Sequence, residues 1–334
     1  MATHAQAMNP APDTVLHEGQ PRHGRYAGRI ARIDWAGLQP RPGWLWRRLH
    51  HKRWHYVGLG NARLFIGVAI VDLGWTCTAF AYLFCRQQRR LLAQWRQDGL
   101  RGLQARVSDE PLDGAHSWFR GPRAALLLQH EADDRLRLHV RTPTLRVEAQ
   151  LDLDGMSEPL LAIGPVDGGR VHATQKTTAL AVQGWAEADG WRLALDDAHA
   201  AVDASNGLLA RDTAWRWASA HAPGLGFNLQ QGYFGGQENV LWLDGQAIAL
   251  AAAHFQFDAA QPMSPWRVHT EDALLDLVFT PEGARAEDRN LGVAASHYVQ
   301  PIGSFSGRVR ASAMSPWRQV EGLVGVTEDH RSRW

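Results

Sequence analysis

Two carboxylates stand where a side chain could hold a proton near neutral pH. Asp72 shares a strand face with Val68 and Ile70 inside the apolar run 64–84, where burial would raise its pKa and leave an acid able to protonate an alkene. The competing role is a turn aspartate that bonds its own backbone ahead of Gly74. Glu238 follows Gly235-Gly236 and leads into an apolar strand with Trp242, and Asn239 faces the other way. Either can orient a ligand or a water, and a simple turn-closing role competes equally. Fifteen tryptophans exceed what a barrel core needs. Alternation over 211–218 puts Arg211, Thr213, Trp215 and Trp217 on one face. Indole faces there would stabilise a developing carbocation while Arg211 fixes a polar end; packed indoles edged by a snorkelling arginine are the plainer reading. Trp54, Tyr56 and Trp242 are further candidates for a ligand wall. Lys176 is one of only two lysines among 35 basic residues, and it offers either a compact ammonium or an exposed strand position.

Other chemistries find no support. His51 and His55 do not face one another in an extended segment, and no Cys/His or carboxylate group has ligand spacing, so no metal is expected. The chain has no phosphate-binding Walker loop, no Rossmann glycine pattern and no Gly-x-Ser-x-Gly elbow, and no cofactor is expected. Residues 1–110 carry 16 basic and 7 acidic side chains, while the remainder is acidic. Arg41, Trp44, Trp46, Arg47, Arg48, Lys52 and Arg53 form a basic-aromatic patch suited to an anionic membrane surface. Nucleic acid is disfavoured because the acidic second half would repel it. Cys77 and Cys85 build no disulfide framework, and residues 1–20 have no apolar signal core. A cytoplasmic protein, soluble or peripherally membrane-bound, is expected.

The elements that must position these residues are strands. Short alternating segments recur between Gly, Asp, Asn and Pro, as in Leu136-Arg137-Leu138-His139-Val140 and Leu145-Arg146-Val147-Glu148-Ala149. The run 64–84 is long enough for a spanning helix, but its central carboxylate, Gly67, Gly74 and β-branched residues favour two buried strands around a turn at Asp72-Leu73-Gly74. Residues 87–97 offer the best helical face, through Leu91, Leu92 and Trp95, although a strand and basic turn fit too. The pentapeptide Met263-Ser264-Pro265-Trp266-Arg267 returns at Met314-Ser315-Pro316-Trp317-Arg318, consistent with loops that lead into strands. The expectation is an all-β protein of two antiparallel barrels or sandwiches packed side by side. Its parts are a loose tail over 1–20, a first domain over 21–195 and a second over 196–334.

The segment His50-His51-Lys52-Arg53-Trp54-His55-Tyr56, followed by Asp72-Leu73-Gly74, resembles the bacterial family known as domain of unknown function 2804. Thr174-Gln175-Lys176, Arg211 through Ala218, Gln237 through Gly245 and the closing His330-Arg331-Ser332-Arg333-Trp334 extend the resemblance from about residue 17 onward. It implies a distant likeness to two-barrel, lipocalin-like proteins that include carotenoid hydratases and tocopherol cyclases. Those relatives handle apolar, isoprenoid-like molecules, but their catalytic acids do not map onto this chain residue by residue. The expectation is an apolar small molecule held in a Trp-lined cavity, with cofactor-free hydration, cyclisation or isomerisation as its chemistry. A non-catalytic lipid carrier and an envelope-associated structural protein are the alternatives. A carboxylate beside the indoles would favour the enzyme, and barrels filled by their own side chains the structural role.

Overall fold

A computed structural model describes residues 8–290 and 295–334. Strands β1 (His51–Gly60), β2 (Leu64–Asp72), β3 (Cys77–Cys85) and β4 (Arg90–Gly99) form an antiparallel meander. Residues 64–84 are therefore two strands joined by a turn. Gly74 takes φ +86° there, and a Cβ would collide with the Arg48 carbonyl. Both faces of this run are apolar because they meet different partners. Val68, Ile70, Ala79, Ala81 and Leu83 enter the first core, whereas Phe65, Tyr82 and Phe84 pack against the second half of the chain. No helix among the described residues is long and apolar enough to cross a membrane.

Residues 87–97 supply a turn and β4 rather than a helix, with Leu91 and Leu92 packing against different clusters as a strand requires. The helix among the described residues is Trp44–His50, which buries none of its residues. The loose tail also needs correction: residues 1–7 lie outside the described residues, but Asn9–Pro10 pairs with Gly24–Ala27, and Val15 packs with Trp35 and Ile163.

Strand β5 (Val171–Lys176) pairs with β6 (His199–Leu208), and β6 pairs along its length with β1. The first, 16-stranded sheet thus extends to Leu208, and the two halves divide at 209–211 instead of 195. The turn at 189–190 closes a local hairpin, whereas the pairing of β6 with β1 is long-range. The sheet folds back on itself around a core that includes Leu59, Ile66, Phe119, Leu138 and Val147.

The second half is a nine-stranded antiparallel sheet. Its central strands are β7 (Asp212–Ala222), β8 (Leu225–Gly232), β9 (Leu275–Asn290), β10 (Ala295–Val309) and β11 (Arg318–Arg333). Phe227, Trp266, Phe279 and Phe305 fill its core. Both pentapeptide copies lead into strands, at Trp266 and Arg318, but only Trp266 is fully buried; Trp317 is half-buried under Arg308 and Arg310.

Candidate functional site

Both interiors are packed with their own side chains, the arrangement expected of the structural role, and the cavity lies between the two sheets instead. Alternation sends Trp54 and Tyr56 of β1, Val71 of β2 and Phe80 of β3 out of the first core, and Trp215 and Trp217 of β7 out of the second. They meet in the seam between the sheets around a cavity of about 130 Å³. Trp334, Tyr233 and Tyr298 complete its aromatic wall. The Trp217 indole donates to Asn228 Oδ1 at 2.8 Å and meets Tyr56 edge-on.

Three charged groups converge on this wall. Lys176 and Asp203 are register partners across β5 and β6, which brings Nζ 2.5 Å from Asp203 Oδ2. Glu238 arrives from the loop before Val240–Leu243 and places Oε2 3.1 Å from the same ammonium. Asn239 anchors this loop by accepting from the Gln230 backbone N–H and donating to the Ala251 carbonyl. Burial disfavours the ammonium, but Asp203 and Glu238 outweigh it and hold the Lys176 pKa above the ordinary lysine value. One cation therefore faces two carboxylates. Burial and then the charge on Asp203 push Glu238 up, against the opposing pull of Lys176, and its carboxyl stays above the usual range. Nearby His172 is pushed down to about 3 by burial and then by Lys176, so its imidazole is neutral.

A second polar chain crosses the seam. Tyr82 Oη donates to Gln300 Oε1 at 2.5 Å, Gln300 Nε2 to Glu328 Oε2 at 2.9 Å, and Trp215 Nε1 to Glu328 Oε1 at 2.8 Å. His330 lies against the Trp215 ring at 4.1 Å between centroids, with Nε2 2.6 Å from Ser332 Oγ. Gln230 is 2% exposed, yet neither its amide nitrogen nor its oxygen has a protein partner. A buried amide so placed calls for a polar group of a bound molecule or water.

The structure brings together Trp54, Tyr56, Lys176, Trp215, Trp217 and Glu238. Asp72 lies outside the cavity and is not a protonated acid. Burial would raise its pKa, but Arg53 at 2.6 Å, Arg101 at 2.9 Å and the Gly74 amide at 2.8 Å prevail and hold it below the usual range. Arg211 is outside the cavity wall, at the edge of β7, where its carbonyl accepts the Trp334 amide. Asn239 positions the Glu238 loop, and Trp242 sits in a separate apolar cluster, donating to the Glu158 carbonyl.

The basic-aromatic patch also shrinks. Lys52 is fully buried, donates to the Leu73 carbonyl at 2.6 Å, and is pushed down to about 8 by burial. Arg53 is held by Asp72 and Asp109, and Trp46 stacks on His50. Trp44, Leu45 and Leu49 remain exposed.

Sequence reasoning missed Asp203, Gln230, Gln300 and Glu328, and passed over His330 and Trp334. Asp203 had one available signal: it is the only acidic residue in His199–Leu208. Among the described residues, Asp113, His130 and Asp134 approach metal-ligand spacing, but the Arg29 guanidinium bonds both aspartates.

The sequence matches the family described as "Domain of unknown function (DUF2804)" over residues 6–334. The chain belongs to this family. No curated protein matches it. Among solved structures, kievitone hydratase from Nectria haematococca superposes with a TM-score of 0.53 at 10% identity, covering 90% of this chain and 94% of that one. CghA with Sch210972 gives a TM-score of 0.60 at 10% identity and covers 98% of both chains. An AttH-type protein from Nitrosomonas europaea gives 0.51 at 13%, covering 84% of this chain and 92% of that one. The all-β, lipocalin-like fold is therefore shared with these structures, one of which is a kievitone hydratase.

Proposed function

We propose that this protein binds a small apolar molecule in the seam cavity and transforms it without a cofactor, by hydration, cyclisation or isomerisation at a carbon–carbon double bond. The observation that carries this reading is the buried Lys176–Asp203–Glu238 cluster on the same wall as Trp215 and Trp217. In this reading Glu238, raised by burial and by Asp203 against the pull of Lys176, donates its proton to the alkene. The cationic carbon that forms faces the indoles. In hydration, water adds to that carbon and its surplus proton returns to the Glu238 carboxylate; in isomerisation, the adjacent C–H supplies the returning proton. Lys176 holds the conjugate carboxylate, and Gln230 meets a polar group of the ligand.

Native mass spectrometry of protein purified from its host identifies a bound molecule, which is then incubated with enzyme in heavy water. Wild type incorporates deuterium or the elements of water, while Glu238→Gln binds the same molecule and converts it at least about 100-fold more slowly. Conversion by Glu238→Gln at the wild-type rate overturns the assignment. Trp215→Ala with Trp217→Ala lowers affinity for the probe farnesol by roughly tenfold or more in calorimetry, from the apolar area lost; unchanged affinity contradicts the cavity. A carrier is the second reading, favoured by the hold of Lys176 on Glu238, and binding without turnover identifies it. We also propose a peripheral membrane contact through Trp44–His50, which sedimentation with anionic vesicles tests.

A further inference from the structure

The cavity shares Val71, Phe80, Tyr298, His330 and Trp334 with an outer chamber of about 320 Å³. Three guanidinium groups, Arg96, Arg285 and Arg289, stand in its wall with two carboxylates, Asp98 and Glu287. Arg96 pairs with both acids, and Arg289 reaches Asp98 at 2.6 Å and Glu287 at 3.9 Å. A fourth, Arg333, is occupied by Asp212 at 2.8 Å. Among the described residues no other acidic side chain lines the chamber. Arg285 is left with one long ion pair, 3.4 Å to the already shared Glu287, beside a polar contact with the Tyr298 hydroxyl. It is 2% exposed, and its Nε has no acceptor.

Aromatic rings hold this cation at the junction of the chambers. Its guanidinium carbon lies 4.0 Å from the centroid of Phe80 and 4.9 Å from that of Tyr298, two rings that line both spaces. Such stacking fixes the plane of the fork and leaves its edge free to meet an anion. A buried cation short of counter-charge is costly, and a bound carboxylate would remove that cost through charge-assisted hydrogen bonds.

We propose that the ligand is an amphipathic carboxylic acid whose carboxylate seats on Arg285 while its apolar body extends between the indoles toward Glu238. This rests on the proposed seam cavity and adds the substrate class. The test compares farnesoic acid with farnesol, which share one apolar body, by calorimetry on the full chain. Wild type binds the acid at least about tenfold more tightly than the alcohol, the scale of one hydrogen bond to a charged group. Arg285→Met brings the acid down to the alcohol's affinity and leaves farnesol within about twofold, whereas Arg285→Lys keeps part of the preference because it keeps charge without the fork. Equal affinity for the two probes in wild type, or a preference that survives Arg285→Met, overturns the proposal. Farnesol binding that Trp215→Ala with Trp217→Ala removes, without any acid preference, overturns this inference and leaves the cavity standing; if neither probe binds, both fall.

Discussion

Replacing Lys176 by methionine keeps the aliphatic stem and removes, among the described residues, the only cation in ion-pair reach of both Asp203 and Glu238. The distances are 2.5 and 3.1 Å, and the three side chains are 4, 14 and 6% exposed. Breaking an ion pair at such depth costs about 3–5 kcal/mol, against about 0.2–1 kcal/mol for an exposed one. The pH dependence follows from the direction of the shifts. A carboxyl raised in the folded state keeps its proton where the unfolded chain has released it, so its stabilising effect is complete below the unfolded value, 4.5 for Glu238, and is lost as pH rises through the folded value. Removing Lys176 takes away the charge that pulls the Glu238 carboxyl down, so that carboxyl rises further. The stability deficit of Lys176→Met is therefore larger at about pH 8 than toward about pH 4.5, where Glu238 takes up its proton. Urea unfolding followed by tryptophan fluorescence measures it, and adding Glu238→Gln recovers part of the loss because one buried acid is gone. A deficit below about 1 kcal/mol, or one that does not change with pH, refutes the buried cluster.

The opposite acid behaviour is expected at Asp72. Asp72→Asn strips a shared counter-charge from Arg53 and Arg101 and destabilises by about 3 kcal/mol at neutral pH. Because the Asp72 pKa is lowered on folding, that stabilisation is present above the unfolded 3.8 and is lost as pH falls through the folded value, so variant and wild-type unfolding midpoints converge only in strong acid; farnesol affinity does not change. Gly67→Ala drives a Cβ into the Tyr82 ring and strains the bond to Gln300, which lowers stability by about 1–3 kcal/mol in the same unfolding assay. A neutral effect would show that the seam has room to spare.

Alternation and turn residues were enough to establish an all-β chain of two halves, two strands within 64–84, and the indole pair Trp215 and Trp217 on one face of a strand. Those are local properties, set by the two-residue period of extended backbone. Lys176 and Glu238 were also legible as candidates, each an unusual polar residue beside an apolar segment. Their partnership was not, because Asp203 reaches Lys176 through the register of β5 and β6, and Glu238 comes from the other half of the chain. The same limit misplaced the domain boundary, which depends on the pairing of β6 with β1. It also misassigned Asp72: its place on an apolar face pointed to a neutral acid, while Arg53 across the strand pair and the distant Arg101 make it a carboxylate. Side-chain type and period determine which face a residue takes. Which charge it meets there, and so which acid keeps its proton, is decided by long-range strand pairing and by the seam between two sheets.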